Sequence, residues 1–161
     1  MTQSPTQLTE AQVEAWRTMV PAFLVLPGAL DSQLQRDHDL TYPAYLALST
    51  LYEADGGALR MRILAGRASM SMSRLSHLAD RLEAAGYMKR QRVDGDRRST
   101  LAVLTDEGRA KVEEAMPTHT AAIRALVFER LSATQIRQLQ KIFAVISSRI
   151  DPEDRLIPAL R

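Results

Sequence analysis

The sequence predicts a mainly α fold carrying one small β-hairpin, an α+β architecture. Three observations lead there. Apolar residues recur at helical spacing through most of the 161 positions. Thr9, Ser71 and Thr105 stand where helix N-caps belong, just ahead of such stretches. One segment, around Asp94-Gly95, joins two short β-compatible runs through a hairpin turn.

The elements follow in order. Thr9-Glu10-Ala11-Gln12 has the form of a capping box. Val13, Trp16, Val20, Phe23, Leu24, Leu30 and Leu34 then mark a first helix, ended by Asp37-His38-Asp39. Pro21 and Pro27 each remove a helical hydrogen bond, so a kink or break is expected near them. Thr41-Tyr42-Pro43 opens a second helix that runs to Glu53 and stops at Asp55-Gly56-Gly57. A short helix is expected over 59–66, then a turn through Ala68-Ser69-Met70. Ser71 caps the next helix, which extends to Ala85 and closes on Gly86. Leu75, Leu78, Ala79 and Leu82 form its buried stripe, and Ser73, Arg74, His77 and Arg81 its polar front. Strands are expected over 87–93 and 99–104. Thr105 caps a long helix that Pro117 should kink. After a break at 131–134, a last helix carries Ile136, Leu139, Ile142, Phe143, Ile146 and Ile150.

Composition excludes several functions. The chain is 45% apolar and 25% charged, which suits a packed globular core rather than a disordered chain. It has no cysteine, so disulfides, thiolate metal sites and thiol nucleophiles are excluded. The three histidines, His38, His77 and His119, show no convincing metal-ligand spacing, and no phosphate-binding glycine loop is present. No metal, cofactor or enzymatic activity is expected. The apolar stretch 18–30 follows Glu10 and Glu14, contains two prolines and falls short of the ~20 residues of a membrane span. A cytoplasmic location with no membrane association is therefore expected.

Charge is unevenly placed. Residues 1–59 hold two Lys/Arg against seven Asp/Glu, a net −5, and residues 60–98 hold ten against four, a net +6. Residues 99–161 hold nine against eight, a net +1. A basic segment inside a chain of net charge +2 has the electrostatic character of a phosphate-binding surface. Charge alone fits a solvated basic face equally well.

The order helix, turn, helix, hairpin within 59–104 is that of a winged helix-turn-helix. In such a unit the polar front of the second helix enters the DNA major groove, and an arginine at the hairpin tip suits the narrow, negative minor groove. Five fragments then recur in order: Leu64-Ala65, Ser71-Met72-Ser73-Arg74, Asp80-Arg81-Leu82-Glu83-Ala84 with Gly86-Tyr87, Asp96-Arg97-Arg98-Ser99, and Leu104-Thr105-Asp106-Glu107-Gly108. Together they resemble the MarR family of bacterial regulators, and the flanking helices match it in position.

The resemblance implies roles. Ser71, Ser73, Arg74 and His77 are expected to face the groove, with Arg74 on a guanine edge or a phosphate. Arg97 matches the wing-tip arginine. Arg98 matches an arginine that pairs with Asp80 and braces the wing, although the two arginines are interchangeable on sequence alone. A homodimer is implied, built from 1–36 and 106–150, around a DNA-binding domain at 41–104, with a tail at 151–161. A palindromic duplex operator follows from two-fold symmetry. Trp16, Tyr42 and Tyr45, with His38 and Arg62 as polar groups, are candidates for a pocket taking a small phenolic or anionic effector, against the simpler reading of core packing. Lack of cysteine argues against peroxide sensing. The function expected is an effector-released repressor. Two alternatives stand beside it: a winged-helix protein-interaction module, or a small-molecule-binding protein that does not read DNA.

Overall fold

The computed structural model describes residues 7–93 and 96–151. Six helices and a three-stranded antiparallel sheet are present among them: α1 (Glu10–His38), α2 (Tyr42–Tyr52), β1 (Ala58–Arg60), α3 (Met61–Arg67), α4 (Met72–Ala84), β2 (Met88–Val93), β3 (Asp96–Leu104), α5 (Asp106–Ile123) and α6 (Ala133–Ile150).

Local chemistry accounts for the boundaries. Thr9 and Gln12 make the reciprocal capping box at the start of α1. Thr41, Ser71, Thr105 and Ser132 cap α2, α4, α5 and α6, each side chain accepting a hydrogen bond from a backbone N–H of the first turn. Asp39 ends α1 in the left-handed conformation, φ 50°, which returns the chain so that Leu40 is buried. Gly86 does the same after α4 with φ 78°. There Tyr87 N–H reaches back to Leu82 O at 2.9 Å.

α1 corrects one expectation. It runs unbroken for 29 residues through Pro21 and Pro27. Each proline forfeits one backbone bond, and both side chains are exposed. The C-terminal part of the helix is anchored by buried Leu30, Gln33, Leu34 and His38. α5 likewise continues through Pro117. Its change of winding comes later, in a π-type turn at Arg124–Phe128, where Glu129 N–H bonds Arg124 O at 2.8 Å.

The sheet has the order β1-β3-β2. β1 was expected as the first turn of a helix over 59–66. Leu59 instead pairs with Ala102 and Arg60 with Leu101, and α3 starts at Met61. Gly56 and Gly57, with φ of 64° and 66°, swing the chain alongside β3. β3 also begins earlier than expected, at Asp96.

One core joins these elements. Leu34 of α1, Leu48 and Leu51 of α2, Leu64 of α3, Leu75 of α4, Met88 of β2 and Val112 of α5 are fully buried in it. α5 enters close over the hairpin: a Cβ at Gly108 would overlap Tyr87 O, so only glycine fits. No described helix is long and apolar enough to cross a membrane. The stretch 152–161 of the expected tail lies outside the described residues.

Candidate nucleic-acid interface

α4 is the centre of the site. Its back is fixed: Leu75, Leu78, Ala79 and Leu82 are buried in the core. Each of the three leucines contributes about 1.5–3 kcal/mol when fully removed from water, so the helix has one stable orientation. That orientation leaves Ser73, Arg74, His77 and Arg81 exposed together on the opposite side, as their spacing predicted. The tight turn before α4 has Ser69 at φ 53°, and Met70 N–H bonds Ala65 O at 2.8 Å. Ser71 is exposed, and its Oγ accepts the Arg74 N–H at 3.2 Å. Its hydroxyl proton therefore stays available as a donor to a ligand.

The hairpin is tied to α4 by a residue that sequence reasoning missed. Arg90 of β2 donates from Nε to Glu83 Oε2 at 2.6 Å and from Nη2 to Asp80 Oδ1 at 2.6 Å. Its backbone N–H also donates to Glu83 Oε1. One guanidinium thus holds two carboxylates one helical turn apart, a charge-assisted fork. The hydrogen bond to Glu83, then that to Asp80, raises the Arg90 pKa further, so its charge is permanent. The signal was legible in outline. Arg90 shares the inward face of β2 with buried Met88, and an inward arginine needs acids facing it. The side chains of Arg97 and Arg98 lie outside the described residues, so the expected Asp80–Arg98 brace does too. The backbone of both belongs to β3.

The candidates for an effector pocket separate into three places. Trp16 is exposed and lies 22 residues before His38 on one continuous helix, about 33 Å along its axis. Arg62 is exposed on α3. His38, Tyr42 and Tyr45 do converge, at the junction of α1, α2 and α5, around a histidine the expectation had left out. His119 is buried, with the Tyr45 and Tyr42 ring centres 4.4 and 5.8 Å away. Burial lowers the His119 pKa below its ordinary value and raises those of both tyrosines. His38 Nδ1 lies 3.2 Å from Glu114 Oε1, and its Nε2 lies 2.6 Å from Thr118 Oγ1. The hydrogen bond from His38 holds the Glu114 carboxyl below its usual range. Gln33 joins the two histidines, with Oε1 3.1 Å from His119 Nδ1 and Nε2 3.4 Å from Thr118 Oγ1. None of these partners was visible in the sequence, because α1 and α5 meet only through the fold.

Residues 40–100 match the MarR family model. A structure of Sco3205, a MarR family transcriptional regulator from Streptomyces coelicolor in complex with DNA, superposes with a TM-score of 0.88. The two sequences are 36% identical over 93% of this chain and 94% of that one. The HTH-type transcriptional regulator TtmR of Methylorubrum extorquens is 40% identical over 82 residues, which is 51% of this chain and 41% of TtmR. The transcriptional repressor MprA of Escherichia coli is 29% identical over 107 residues, 66% of this chain and 60% of MprA. The matched stretch thus spans less than two thirds of either curated relative. With a structural match over more than nine tenths of both chains and an anchored helix beside a braced hairpin, the chain belongs to the MarR family of transcriptional regulators.

Proposed function

We infer that this chain binds duplex DNA sequence-specifically as a symmetric homodimer, and that it acts as a cytoplasmic repressor released by a small molecule. The observation that carries the reading is α4: buried leucines behind, Ser73, Arg74 and His77 exposed in front, and a hairpin locked to its end by Arg90. In this reading Arg74 and the serines contact base edges and phosphates, and Arg97 enters the minor groove beside them. Sco3205, 36% identical over most of both chains, binds DNA in its crystal structure, and MprA is a transcriptional repressor.

Dimerisation is supported by apolar surface with no cover in one protomer. Trp16, Phe23, Leu24 and Val25 of α1 are exposed, as are Ile142, Val145 and Ile150 of α6. The edge-to-face contact of Phe23 with Phe143, 5.8 Å between centres, joins the two helices at one point. A monomer rarely keeps such a surface open to water. A second copy covering it would present two α4 helices to half-sites about 34–36 Å apart, hence a palindromic operator. The effector, a small phenolic or anionic compound, would act at the junction of His38, Tyr42 and Tyr45 by favouring a spacing that no longer fits.

The test is a gel-shift titration of genomic fragments at several salt concentrations. Binding should weaken steeply with salt as phosphate contacts release counterions. A folded dimer that retards no fragment at low salt would sink the DNA reading and leave an interaction module or a sequestering protein.

A further inference from the structure

The first turn of α4 holds a residue that the polar front does not account for. By spacing, Met72 continues the buried stripe of its helix, three, seven and ten positions before Leu75, Ala79 and Leu82. A methionine in that row belongs under cover, as Met61 and Met88 are, at 7% and 2% exposed. Met72 is instead 47% exposed. Single apolar side chains meet water on most proteins, so this exposure carries meaning only through its place.

Several features fix that place. The turn is held firmly: Ser71 Oγ accepts Arg74 N–H at 3.2 Å, Ser71 O accepts Leu75 N–H at 2.9 Å, and Leu75 is fully buried. Met72 begins a row of every fourth residue with Ser76 and Asp80, both exposed, and Asp80 is a carboxylate that Arg90 of the hairpin holds. Met72 therefore lies on the hairpin flank of the polar front, while Arg74 and Arg81 lie on the other flank. The turn has no acidic residue to repel a duplex. The apolar face assigned to a second copy belongs to α1 and α6, not to α4.

In a groove, flanks count as well as the front. A helix with its side chains is about 10–12 Å across and the major groove about 12 Å wide, so base edges meet the first turn on more than one side. Those edges are mostly nitrogen and oxygen donors and acceptors, which suit Ser73 and Arg74 but offer a thioether little. One group differs: the 5-methyl of thymine is apolar. Methionine is unbranched and polarizable, so its end can close on a methyl group over a range of approaches.

We propose that Met72 is a specificity-determining residue that covers the 5-methyl group of one thymine in each operator half-site. This rests on the DNA-binding reading above and names what one turn of that same surface selects. Two-fold symmetry puts the two thymines at equivalent positions. Cytosine carries no methyl group there, and uracil keeps the hydrogen-bonding edge of thymine without it.

The test replaces thymine by deoxyuridine, one symmetry-related pair of positions at a time, in a duplex recovered by the gel-shift titration. Base pairing is kept and only methyl groups are lost. At one such pair the wild-type protein should lose about fourfold in affinity per methyl group, about fifteenfold for the two. Met72→Ala puts a favoured helix former at an exposed position, so the fold should persist. It should bind the thymine duplex about fifteenfold more weakly and be indifferent to deoxyuridine at that pair, while responding as the wild type does at every other thymine. Met72→Gln, which keeps the length but not the apolar end, should behave alike. A wild type indifferent to deoxyuridine at every position, or variant profiles parallel to that of the wild type, would overturn the proposal and leave DNA binding intact. Failure of the wild type to bind any duplex would defeat both.

Discussion

Single side chains divide here into those that hold the surface and those that use it. Arg74 is exposed, while its backbone N–H is bound by Ser71. Arg74→Ala should therefore leave fold and dimer unchanged yet weaken operator binding by about 1–3 kcal/mol, read in a mobility-shift titration. Gly108 is the reverse case. A methyl group there overlaps Tyr87 O, which is backbone and cannot rotate away. Gly108→Ala should cost about 1–3 kcal/mol in urea unfolding by overpacking α5 against the start of β2. Residue-level reading of the sequence placed a side chain where its exposure depends on near neighbours. Ser71 could be placed as a cap, and Ser73, Arg74 and His77 on an exposed face from helical spacing. His119 and Gln33 could not, because they are 86 positions apart in sequence and meet only when α1 lies along α5.

Elements give a second set of tests. The brace between hairpin and α4 runs through Arg90, part-exposed, against Glu83 and Asp80. Arg90→Ala leaves both carboxylates without that partner and frees the hairpin to move. Operator affinity should drop about tenfold, roughly 1.4 kcal/mol, while circular dichroism shows the helices intact. Pro21 is exposed inside a continuous helix, where proline costs up to about 3 kcal/mol relative to alanine. Pro21→Ala should raise the melting temperature, since it restores a backbone bond without disturbing packing. Of the kink or break expected at Pro21 and Pro27, the break is absent, and the packing of Leu30, Leu34 and His38 further along helps to hold the helix continuous. β1 was hidden for a related reason. Three residues carry no readable alternation, and Ala58–Arg60 is a strand only because β3 offers an edge.

At the scale of the whole molecule, the exposed apolar faces of α1 and α6 make the protomer incomplete. Leu24→Glu should shift the chain toward monomer in light scattering and abolish cooperative operator binding, because it puts a charge on the exposed apolar face assigned to the dimer. The general architecture was readable early, since amphipathic helices, caps and an Asp-Gly turn are short-range signals. The polar junction was not, since it depends on which helices the core brings together.

The length of α1 has a mechanical consequence. A 29-residue helix is about 44 Å long, and since it is continuous past both prolines it can move as one lever. A tilt of about 5° near His38 carries its other end through about 4 Å. Successive base pairs are about 3.4 Å apart along a duplex. A deflection too small to disrupt any helix is thus enough to put a reading head one rung out of step.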